Sequence, residues 1–170
     1  MTSTLINIIN FILSEQTDRS GISISKLTKI IYLIDWRSSI TIGRQITDLQ
    51  WHSNIHGPYT KTILDESKKE KNIIITTTTN ELGNKKTFLT LEYPRKLELN
   101  RDIIDTINFV LDATKNKINR DLKKLVDSTY PIVSSEKYSE LDLAQKAMEY
   151  KNYLVSTQKY RSNLNKPEDK

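Results

Sequence analysis

The amino-acid sequence predicts a mainly α protein of the α+β class: a single helical domain with one inserted antiparallel β-hairpin. Three observations carry that expectation. Apolar residues recur at three- and four-residue spacing in both halves of the chain, which marks helices with a buried face. Only residues 73–93 are dense in β-branched and aromatic residues on both sides of a turn, the pattern of a hairpin. The length of 170 residues fits about one domain at roughly 150 residues each. The domain is expected over residues 1–155, with a polar, disordered tail over 156–170 that ends Lys-Pro-Glu-Asp-Lys.

The elements follow in order. Leu5, Ile8, Ile9, Ile12 and Leu13 form the buried stripe of a first helix, which gives way to the turn-like Asp18–Gly21. Ser25 suits the N-cap of a second helix with Leu27, Ile30, Ile31 and Ile34 on one stripe. Tyr32 and Trp36 lie four apart on an adjoining stripe, so this helix is expected to pack on two sides and to end by Gly43. Residues 47–60 are the least regular segment. There Gly57 permits an unusual backbone angle and Pro58 suits the first position of a third helix. That helix runs through Ile63 and Leu64 into Lys68, Lys69 and Lys71.

The hairpin strands are expected at 73–79 and 86–93 around Asn80–Asn84, closed by Pro94. Asn100 caps a helix carrying Ile103, Ile107, Val110 and Leu111. Asn119 caps a shorter one that stops at Tyr130, because Pro131 disfavours helix before it. Ser139 and Asp142, at capping-box-like spacing, open a last helix with Leu143, Ala147, Tyr150 and Leu154.

Composition narrows the function. The chain has no Cys and 4 Gly, so thiol chemistry and glycine-rich phosphate loops have no raw material. The apolar run at the N-terminus has no basic leader and is broken by Asn7 and Asn10. The sequence therefore predicts a soluble cytoplasmic protein without a membrane span. His52 and His56 stand four apart, but a zinc site needs a third ligand and none accompanies them. No serine stands in a nucleophile elbow, and each carboxylate has a capping or solvated position. Neither catalytic residue, cofactor nor metal is expected.

The net charge of +5 brings acidic partners into view. Lys68, Lys69 and Lys71 flank the expected hairpin, with Lys85 and Lys86 near its tip and Arg120, Lys123 and Lys124 on a later helix. The order helix, helix, short helix, hairpin is that of a winged-helix module, which makes a nucleic-acid-binding regulator the alternative reading. Against it, Asp65, Glu66, Glu70 and Glu81 are interleaved with the lysines. Trp51 and Tyr59, beside the irregular loop, are candidate partner anchors, because aromatic side chains dominate interface hot spots.

Three segments carry a resemblance to a known family. They are Lys26-Leu-Thr-Lys-Ile-Ile-Tyr-Leu-Ile-Asp-Trp-Arg37, Leu49-Gln-Trp51 and His56-Gly-Pro-Tyr-Thr60. Together they resemble the Panacea domain, the SocA-like antitoxin family. Leu122 to Pro131 resembles that family's C-terminal helix and closing proline, so the likeness runs from about Leu5 to Tyr150. Ile132 stands where the family often has Trp, and the Thr-rich hairpin is longer than the family pattern requires. The resemblance implies a non-enzymatic antitoxin that binds and blocks a co-encoded toxin, in a setting of phage defence or mobile elements. Contact with DNA through autoregulation is compatible with it, and the oligomeric state is left open. Expected contact residues are Trp51, His56 and Tyr59 at the loop, with Lys85 and Lys86 at the hairpin tip. Lys26, Leu27, Tyr32, Trp36, Gly57, Pro58 and Pro131 are expected to serve the fold.

Overall fold

The computed structural model describes residues 3–18 and 20–164. Helix α1 (Thr4–Ser14) opens with Ser3, whose hydroxyl accepts from the Ile6 N–H at 3.3 Å. It is buried nearly all round, including Asn7 and Asn10. Asn10 is satisfied inside the core: its Nδ2 donates to the Ile6 carbonyl and its Oδ1 accepts from Asn72 Nδ2 at 2.6 Å. Strand β1 (Ile22–Ser23) follows. A Cβ at Gly21, where φ is +79°, would lie 2.3 Å from the Leu89 carbonyl oxygen, so both conformation and close approach require glycine there.

Helix α2 (Ile24–Ile42) is the centre of the molecule, and Gly43 ends it in the left-handed conformation, as expected. Its cap is Ser23, not Ser25: the Ser23 hydroxyl accepts from the Lys26 N–H, and Ser25 already lies in the first turn. The next elements depart from the expected loop. Strands β2 (Trp51–Asn54) and β3 (Gly57–Tyr59) pair antiparallel around a two-residue turn. Pro58 therefore starts no helix. It faces Ser53 on an edge strand, where a missing N–H is tolerated, and the helix α3 (Thr62–Ser67) begins four residues later.

The long hairpin stands where expected, as β4 (Ile73–Thr79) and β5 (Lys85–Leu91). It is not the only β structure. One sheet has strand order β1-β5-β4, and a second has order β3-β2-β6, where β6 is Glu140–Leu141. The architecture is mixed α+β rather than a helical domain with a single hairpin. Two-residue strands such as β1 and β6 carry too little periodicity to be read from sequence.

Helices α4 (Arg101–Thr114), α5 (Asn119–Asp127) and α7 (Leu143–Leu164) complete the body, with α2 packed against all three. Asn100 caps α4 as expected, its Oδ1 accepting from Ile103 N at 2.9 Å. Asn119 does not cap α5; Ile118 holds that position without a side-chain bond. Pro131 lies in the first turn of a separate short helix, α6 (Tyr130–Val133), where proline lacks no bond. Asp142, rather than Ser139, caps α7 by accepting from Gln145 N. The helix α7 continues through residues 156–164, where a tail was expected, and 165–170 lie outside the described residues. Among the described residues no helix is long and apolar enough to cross a membrane.

Candidate functional site

Helix α2 carries two charged residues into the interior, and they behave differently. Asp35 is fully buried. Its Oδ1 accepts from the Ile46 and Thr47 N–H groups at 3.0 Å each, and its Oδ2 from the Thr47 hydroxyl at 2.5 Å and the Trp51 indole N–H at 2.9 Å. Burial pushes its carboxyl above the usual carboxylate range, while the four donors pull it back. The node fixes residues 46–51 onto the helix, and the Trp51 ring meets Tyr32 edge-on at a centroid distance of 5.5 Å. Tyr32 in turn shares a 2.8 Å hydroxyl–hydroxyl bond with Thr129.

This overturns the expectation that Trp51 is an exposed partner anchor. Its exposure is 0%, because the one polar atom that would draw an indole to the surface has its acceptor in the core. Leu27, Tyr32, Trp36, Gly57, Pro58 and Pro131 are buried too, whereas Lys26 is half-buried.

The second charged residue, Lys29, lines a groove. The β2–β3 hairpin positions the far wall: Gly57 takes φ +105°, Gly57 and Pro58 are buried, and Ile55, His56 and Tyr59 face solvent. Between this hairpin, the first turns of α2 and the helix α3 lies a groove of about 540 Å³. Ile24, Pro58, Tyr59 and Leu64 give it apolar walls, and Lys29, Lys61, Lys68 and Asp65 supply charge.

Lys29 is only 7% exposed. Its ammonium donates to the Ser25 carbonyl at 3.2 Å and the Ser25 hydroxyl at 2.6 Å. Among the described residues no carboxylate comes within ion-pair distance of it; Asp127, the nearby acid, is paired with Lys123. Burial pulls the Lys29 pKa down, the Lys123 charge adds to that, and Asp127 opposes it.

The expected contact residues thus divide. His56 and Tyr59 share the groove, together with Gly57 and Pro58. Lys85 and Lys86 are exposed at the distal end of the β4–β5 hairpin, opposite Thr79 and Thr78, and do not line the groove. His52 sits in β2 opposite Tyr59 and Glu140, while His56 is in the turn. Among the described residues no group of three or more His, Cys, Asp or Glu could hold a metal ion. Neither Asp35 nor Lys29 belongs to the contact residues expected from the sequence. The available signal was a charged residue within a run of apolar neighbours, Leu27 to Trp36, too continuous to leave a solvated face.

No curated relative and no solved structure matches the chain. A family model does match, over residues 27–131 of 170. The matched span takes in the Asp35 node, the β2–β3 hairpin, α3 and Pro131. On that match the chain belongs to the antitoxin SocA-like, Panacea domain family.

Proposed function

We propose that this protein is an antitoxin that neutralises a co-encoded toxin by direct binding in the cytoplasm, with the groove beside Tyr59 as the contact surface. One observation carries the reading: the family match takes in most of a groove with apolar walls, all but Ile24 and Ser25 of its lining, and that groove presents Tyr59, 49% exposed. An exposed aromatic beside a concave apolar surface is the chemistry of an interface hot spot. The work is contact rather than catalysis. The direct test is genetic. The neighbouring open reading frame, expressed alone, is expected to arrest growth, and its co-expression with this protein to restore it. Growth arrest that persists under co-expression contradicts the proposal.

A second reading is favoured by one specific feature. Three helices α1, α2 and α3, with β1 after the first and β4–β5 after the third in sheet order β1-β5-β4, follow the order of a winged helix. In such modules the third helix and the wing contact DNA. Here the lysines just past the end of that helix pair with its own acids: Lys68 with Asp65 at 3.6 Å and Lys69 with Glu66 at 2.6 Å. Such pairing leaves little net charge for phosphates, which supply most of nucleic-acid affinity. Titration of mixed duplex DNA across a salt series checks this reading, and absence of binding at low salt ends it.

A further inference from the structure

We infer that the groove between α2, β3 and α3 takes an extended segment of a protein partner bearing an Asp or Glu side chain beside an apolar one, with the carboxylate seated on the Lys29 ammonium. The inference rests on the toxin-binding reading and adds the chemistry of what is bound. Four observations support it. The groove holds about 540 Å³, enough for a few side chains, within the ~300–1,000 Å³ usual for pockets that enclose a ligand. Its walls are the apolar surfaces of Ile24, Pro58, Tyr59 and Leu64, which suit a side chain and not a phosphate backbone.

The charge is one-sided. Lys29, Lys61 and Lys68 line the groove against Asp65 alone, and Asp65 is engaged by Lys68. Lys29 is the anchor, because both of its bonds go to Ser25 on its own helix. That leaves a buried lysine, its ammonium held in place, with no carboxylate within ion-pair distance among the described residues. Burying a cation in this way is costly unless it is paired, and a partner carboxylate would complete it. Electrostatic matching of this kind selects partners as much as it tightens them.

The test is selection from a random displayed peptide library on the purified full chain, with the sequences of the bound pool as readout. The expected pool is enriched about tenfold in Asp or Glu adjacent to an apolar residue, the ratio that a preference of about 1.4 kcal/mol gives. The acidic bias is expected to disappear with Lys29→Met, which keeps most of the apolar stem and removes the charge. Tyr59→Ala, at an exposed site that should leave the fold intact, is expected to reduce total recovery. A pool without acidic bias, a bias unchanged in Lys29→Met, no recovered binder, or competition by duplex DNA as strong as by acidic peptide each overturns the inference. Failure of the neighbouring-gene rescue bears on the toxin reading alone, since peptide selection requires no toxin.

Discussion

Asp35 and Lys29 lie six residues apart on one helix, both buried, and their surroundings are opposites. The carboxylate of Asp35 receives four donors from residues 46–51. The ammonium of Lys29 has two acceptors among the described residues, both on Ser25, and its side chain lines a groove. A fully satisfied charge locks a loop, whereas a charge held short of an opposite partner is poised for one. The same contrast separates the two aromatics that looked alike in sequence: Trp51 belongs to the first environment and Tyr59 to the second.

The contrast can be broken most forcefully at Asp35. Asp35→Ala leaves the Ile46 and Thr47 N–H groups and the Trp51 indole unpaired in the core. A loss of about 3–5 kcal/mol is expected, as when one partner of a buried charged network is removed. Chemical denaturation measures it, and a variant as stable as the parent would show that the node does not hold the loop. Trp51→Phe keeps most of the ring and removes one donor, so about 2 kcal/mol is expected from a lost bond to a charged group. Gly57→Ala comes next. A Cβ there meets Asp127 Oδ1 and Val126 Cγ1 only at 3.7 and 3.8 Å, so no clash adds to the strain of φ +105°, about 1–3 kcal/mol.

The smallest effect sharpens the other side. The pKa of Lys29 is lowered from its ordinary 10.5 on folding. Between its folded pKa and 10.5 the unfolded chain therefore holds the extra proton. Stability should rise with pH across that window through this group. Below the window both states are charged and the burial cost stands in full. Lys29→Met is expected to flatten that rise, seen as the difference between the pH–stability profiles of variant and parent. Identical alkaline profiles contradict the assignment.

Much of the fold was legible because long periodic segments dominate it. The stripe through α1, the run in α2 ending at Gly43, the Thr-rich strands and the Asn100 cap all have local causes, and each stands where expected. What was missed depends on pairing distant in sequence. β1 exists because Ile22 pairs with Leu89, and β6 because Leu141 pairs with Trp51. Pro58 read as a helix start because its local chemistry suits one, yet its place on a sheet edge is set by β2. The site divided in the same way. His56, Gly57, Pro58 and Tyr59 were found through the irregularity of their segment, while Lys29 joins them through the packing of α2 against β3 and Leu64 through the placement of α3 across the groove.

On the proposed function the exposed Tyr59 beside the groove, and not the buried Trp51 in the node, makes the partner contact. That contact is tested most directly by titrating Tyr59→Ala with the product of the adjacent gene, with thermal melting recorded on the same sample. Stability is expected to be unchanged to within about 0.5 kcal/mol, as for a surface substitution. Affinity is expected to weaken by at least about 2 kcal/mol, roughly thirtyfold. Full affinity in a variant that melts like the parent would contradict it.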